Sequence, residues 1–97
     1  LGIALEAALQ VLIGSMAYSR IMDTKGRKMI EGDFRTQARL SQHLKDIRLI
    51  LAAAAAAGRE LPLTETHRRL LEAAEAAGFG DADNSAIIRA FERKTTP

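Results

Sequence analysis

Ninety-seven residues, 47 % of them apolar and 27 % charged, suit one globular domain with a modest core and exclude a disordered chain. There is no cysteine, which excludes disulfides and thiolate metal sites, and no unbroken run of about 18 apolar residues, which excludes a transmembrane helix. A net charge of +2 offers little long-range attraction to nucleic acid or an anionic membrane.

Leu5, Ala8, Leu9, Leu12 and Ile13 lie on one face of a first helix, which Gly14-Ser15 ends. Met16 to Asp23 is short and mixed. Gly26 is expected to interrupt it, with Arg27-Lys28-Met29-Ile30 adding one turn before Gly32. Short helices of this kind are held by tertiary contacts and not by propensity. The clearest element begins near Ala38 and ends at Ala57, with Gly58 as a left-handed cap. Leu40, Leu44, Ile47, Leu51, Ala54 and Ala55 form its stripe. Beyond Arg48 the polar face disappears: Leu49, Ile50 and alanines 52–57 cover every side, so this tail is expected to be enclosed.

Pro62 suits the first turn of the next helix, with Thr64 an alternative cap. That helix runs through Leu70, Leu71, Ala74 and Ala77 to Gly78, and Gly78-Phe79-Gly80-Asp81 reads as a loop. Asp83 or Asn84 caps a last helix carrying Ile87, Ile88 and Phe91, and Thr95, Thr96 and Pro97 fray. No segment alternates as a strand does. The fold class is therefore all-α, a compact multi-helix domain over residues 1–97 around a central Ala/Leu-rich helix.

Several chemistries find no support. Gly78-Phe79-Gly80 is the only Gly-x-Gly, and no strand precedes it, so it is not a dinucleotide fingerprint. His43 and His67 have no ligand-spaced partners, and no metal is expected. The serines lie in no nucleophile elbow. Arg68-Arg69, Arg89, Arg93 and Lys94 alternate with Glu65, Glu72, Glu75 and Glu92, as on a salt-bridged surface. Lys45-Asp46 stands apart. A lysine near a helix start opposes the dipole, whereas Asp46 conforms to it. The residues alone leave two readings: charges on a solvated turn, or a cation poised for a carboxylate, a nicotinamide ribose or a carboxamide oxygen.

The ordered set of Gly32-Asp33-Phe34, Lys45-Asp46 before an aliphatic helix, Gly58 with Leu61-Pro62-Leu63-Thr64, and Gly80-Asp81-Ala82-Asp83-Asn84-Ser85-Ala86 resembles the C-terminal helical domain of the β-hydroxyacid dehydrogenases. That family includes 3-hydroxyisobutyrate dehydrogenase and 2-hydroxy-3-oxopropionate reductase, and its C-terminal fold is like that of 6-phosphogluconate dehydrogenase. The resemblance implies hydride transfer between NAD or NADP and a small 3-hydroxy acid or its semialdehyde. Its N-terminal Rossmann domain and interdomain helix, which hold most of the cofactor and the general acid/base lysine, have no counterpart here.

By the same resemblance, Lys45 matches the lysine that reaches the bound cofactor, and Asp46 supports that site. No residue of this chain is expected to be catalytic, and the piece alone is expected to be inactive. The resemblance also implies a homo-oligomer; the lack of cysteine fits the cytoplasm, and the small net charge and short apolar runs predict no binding to nucleic acid or membrane. Many relatives carry a second aromatic four residues after the position of Phe34. Ala38 stands there, which implies a roomier pocket or a different subgroup. Gly80, Asp81, Asp83 and Ser85 read as a turn and N-cap, not as catalytic groups. The alternative reading is a freestanding helical protein-interaction module.

Overall fold

A computed structural model describes residues 4–91. The expected fraying at Thr95, Thr96 and Pro97, and the charges at Glu92, Arg93 and Lys94, lie outside them. Among the described residues regular structure is helical, apart from one isolated antiparallel bridge between Arg39 and Asp83. The all-α expectation holds. None of the described helices is long and apolar enough to cross a membrane. The chain divides into two compact units, Leu1–Phe34 and Arg35–Pro97.

The first unit contains α1 (Leu5–Ile13) and α2 (Arg20–Glu31). Gly14 ends α1 as expected, its N–H donating to the Gln10 carbonyl at 3.1 Å. The Ser19 hydroxyl caps α2 by accepting from the Met22 N–H at 3.2 Å. The expected break at Gly26 does not occur, and α2 runs straight through it. Contact, not flexibility, explains that glycine: a Cβ there would lie 2.6 Å from Leu9 Cδ1. Leu9 is the buried apolar residue of α1, and a bare backbone on α2 lets it seat. Arg27 and Glu6 close the rim of this helix pair at 2.8 Å. Gly32 ends α2 at φ +67°, a conformation that only glycine adopts without strain.

The second unit contains α3 (Leu40–Ala56), α4 (Pro62–Ala74), a π-helical turn over Glu75–Phe79 and a 3-10 helix over Asn84–Phe91. Leu40, Leu44 and Ile47 of α3 meet Leu71 and Ala74 of α4 and Ala86 of the 3-10 helix to form the core. Spacings of four and three residues put the α3 members on one face, as the stripe predicts. Pro62 opens α4, and Gly58, at φ +68°, lies just past the end of α3.

Three details of this unit refine or depart from expectation. Helix α3 starts two residues after Ala38, at Leu40, because Arg39 is extended and the backbone before it is bonded elsewhere. Helix α4 passes into the wider π turn at Glu75, and Gly78 leaves helical geometry at φ +100°. The tail of α3 is not enclosed: Leu49 is 61 % exposed and Ile50 49 %. Elements of the second unit cover only the Leu40–Leu44–Ile47 side, so the aliphatic residues on the other flank face outward within it.

Candidate functional site

The candidate site is the first half of α3, and its geometry starts from an anchorage that is not local. Arg39 gives α3 no side-chain cap. Instead the first amides of the helix donate to a distant loop, Leu40 N–H to the Ala82 carbonyl and Ser41 N–H to the Gly80 carbonyl, each at 2.9 Å. Those amides would otherwise lack partners, as helix starts do.

Asp83 completes the anchorage. It is fully buried, and both carboxylate oxygens are occupied. Oδ1 accepts from the backbone N–H groups of Gln37 and Ala38 at 3.0 Å each. Oδ2 accepts from the Ser85 N–H at 3.0 Å and the Ser85 hydroxyl at 2.6 Å. The Asn84 N–H returns a bond to the Ala38 carbonyl at 2.7 Å, and the Thr36 hydroxyl donates to the Asp81 carbonyl at 2.7 Å. Asp83 thus caps the 3-10 helix as expected, and it also clasps the segment that leads into α3. Hydrogen bonds to an ionised acceptor are roughly twice as strong as neutral ones.

Lys45 and Asp46 follow on the same helix. Leu44 and Ile47, on either side of them, are buried. The 100° step of the helix therefore turns Lys45 and Asp46 outward, and both are exposed. Neither has an ion-pair partner among the described residues. Gln42 and Leu49 share this outward face, so polar groups occupy its first half and aliphatic ones its second.

A cavity of about 450 Å³ opens at the opposite end of α3, lined by Leu51, Ala55, Arg59, Pro62 and Arg69 among others. Lys45 and Asp46 do not line it. Lys45 is exposed and lies away from that cavity's lining.

A network of ion pairs runs along α4 and reaches α3 at Arg48. Arg48 meets Glu72 at 2.8 Å, and Arg68 holds both Glu65 and Glu72. The Arg68 guanidinium keeps the Glu65 carboxyl below the usual range, and Arg48, then Arg68, do the same for Glu72. The structure also brings together His43 and His67, which the sequence leaves far apart, with ring centroids 5.1 Å apart and planes at 58°. Burial, and then the neighbouring His43, push His67 below its ordinary 6.5. No group of three or more potential metal ligands forms among the described residues. Phe34 is half-buried and Ala38 exposed.

The family profile described as NAD-binding of NADP-dependent 3-hydroxyisobutyrate dehydrogenase matches residues 1–91. The chain belongs to that family, and a nicotinamide dinucleotide is the family's cofactor. It is 36 % identical over 83 residues to 2-hydroxy-3-oxopropionate reductase of Escherichia coli K12, a match spanning 86 % of this chain and 28 % of the reductase. It is 29 % identical over 96 residues to L-threonate dehydrogenase of the same strain, spanning 99 % of this chain and 32 % of that enzyme. A crystal structure of 3-hydroxyisobutyrate dehydrogenase from Salmonella typhimurium superposes with a TM-score of 0.84 at 27 % identity, over 91 % of this chain and 31 % of that one. The chain therefore spans about a third or less of the relatives it matches.

Sequence reasoning identified the capping role of Asp83 but not its clasp on Gln37 and Ala38. No local pattern reveals a bond between segments so far apart. The one available signal was an aspartate inside an otherwise apolar and small-residue motif, which needs partners if it is buried.

Proposed function

We propose that this chain acts as the C-terminal closure domain of a longer NAD(P)-dependent dehydrogenase, and that Lys45 reaches the nicotinamide cofactor from its helix. The substrate class is a small 3-hydroxy acid or the corresponding semialdehyde. The exposed, unpaired ammonium of Lys45, on a helix start held by a buried carboxylate, is the observation that carries this reading. The names of the relatives add support, since a 2-hydroxy-3-oxopropionate reductase and an L-threonate dehydrogenase both handle small oxygenated acids.

The residues present fit a supporting role toward the cofactor. This chain has no glycine-rich phosphate cradle, so it offers a single cation and not a dinucleotide site. When bound, the cofactor supplies or accepts the hydride. Lys45 would donate hydrogen bonds to the nicotinamide half of the bound cofactor, and Asp46 beside it would support that contact. Lys45 is not the general acid or base, which belongs to a lysine outside this chain. The domain also excludes water from the hydride path, where fixed dipoles replace bulk solvent.

A reconstitution experiment tests the division of labour. This chain alone, with NADH or NADPH and a small semialdehyde, should show no cofactor oxidation, whereas the longer polypeptide that contains it should turn over. Turnover by the isolated chain would overturn the closure-domain reading.

A further inference from the structure

We infer that Asp83 is a positioning residue for the cofactor contact, acting through the start of α3 on Lys45. The inference rests on the assignment of Lys45 proposed above, and it adds a residue that the motif reading treated as a simple cap.

Three observations carry it. First, α3 lacks its own N-cap, so its start is defined by whatever meets its amides. The Gly80–Ala82 backbone meets two of them, through the Leu40 and Ser41 N–H groups. Second, Asp83 binds that loop to the segment before the helix, with Oδ1 on Gln37 and Ala38 and Oδ2 on Ser85. The antiparallel bridge between Arg39 and Asp83 places the clasp immediately before the first helical residue. Third, the carboxylate is fully buried and accepts hydrogen bonds from Gln37, Ala38 and Ser85, so a shift of it leaves buried donors without their acceptor. Moving the carboxylate frees the first turn of α3, and Lys45 sits only five residues beyond Leu40.

The clasp controls where the ammonium stands, not whether the helix exists. Leu44, Ile47 and Leu71 secure the helix by burial, a term independent of Asp83. A loosened first turn leaves a folded domain whose Lys45 samples several positions. Contacts of this kind are lost when a supporting group is removed, by roughly 10–100-fold in comparable ligand-orienting shells.

A double-mutant cycle on the full-length enzyme tests this, with kcat/KM for the cofactor as the readout and Asp83→Asn and Lys45→Ala as the two changes. The amide of Asp83→Asn keeps the shape and one acceptor, but it turns a donor toward Ser85. Each single change should lower kcat/KM about tenfold or more. The double variant should be no worse than Lys45→Ala, because Asp83 then has nothing left to position. Ser85→Ala, which removes one bond to Oδ2, should give a smaller loss that likewise vanishes on the Lys45→Ala background. If Lys45→Ala lowers kcat/KM and Asp83→Asn adds its full effect to it, or has none alone, the positioning role is overturned and the lysine assignment survives. If Lys45→Ala changes nothing, the lysine assignment falls, and the positioning role falls with it. Should Asp83→Asn not fold, Ser85→Ala decides the outcome by the same criterion.

Discussion

Asp83 holds Ala38 from across the second unit: its Oδ1 lies 3.0 Å from the Ala38 amide, while the Ala38 carbonyl accepts from the adjacent Asn84 N–H at 2.7 Å. This reciprocal pairing holds a segment that has no regular structure of its own. Asp83→Ala leaves the Gln37, Ala38 and Ser85 amides without their acceptor. Lost bonds to a charged group are expected to cost about 2–4 kcal/mol in total. Urea unfolding monitored at 222 nm should show this as a lower midpoint with an unchanged slope. A shift within error of zero would mean that water replaces the carboxylate at no cost.

The backbone of Gly26 leaves no room for a Cβ beside Leu9. In an open helix, Gly→Ala gains about 1 kcal/mol from propensity. Here the new methyl meets Leu9 at 2.6 Å, and overpacking of this kind costs about 1–3 kcal/mol. Gly26→Ala is therefore expected to lower amide protection in α1 and α2. In a Leu9→Ala background the colliding Cδ1 is gone, and the same substitution should raise protection. The change of sign is the diagnostic, and an identical sign in both backgrounds would refute the contact.

Acid should weaken the second unit in two stages. Burial keeps His67 neutral in the fold, below its ordinary 6.5, so the unfolded chain binds the proton more readily. Its contribution is complete above about pH 6.5 and is lost as pH falls through the depressed folded value. Glu65 and Glu72 follow at lower pH: their contribution is present above the ordinary 4.5 and disappears as pH falls through their lowered values. Melting curves from pH 7.5 to 3 should show both stages. His67→Gln should abolish the first and leave the second, and a first stage of unchanged size would assign it elsewhere.

The chain on its own is expected to self-associate through the outward flank of α3, where Leu49 and Ile50 remain 61 % and 49 % exposed. Sedimentation velocity over a concentration series should show weight-average mass rising with concentration, and Leu49→Glu should reduce the rise. A monomer at every concentration would contradict it.

Helix identity was readable from apolar spacing, because the Leu40–Leu44–Ile47 face has the period that burial imposes. The glycine and proline signals marked the chain ends of helices correctly at Gly14, Gly32, Gly58 and Pro62. Gly26 misled because absence of a side chain signals either a break or a close approach, and only the position of Leu9 separates them. The aliphatic tail of α3 misled for a related reason: composition shows which side chains favour burial, not which protein covers them. Lys45 and Asp46 were singled out by an ordered motif, and they are exposed on α3. The clasp of Asp83 and the meeting of His43 with His67 depend on tertiary pairing, which no local pattern encodes.

The central claim is that Lys45 contributes binding energy to a nicotinamide cofactor. Fluorescence titration of NADH or NADPH into the full-length enzyme and its Lys45→Ala variant measures this directly. The account predicts a dissociation constant roughly 10–100-fold weaker in the variant, with the melting temperature of the cofactor-free protein unchanged. Equal affinities for both proteins would contradict it.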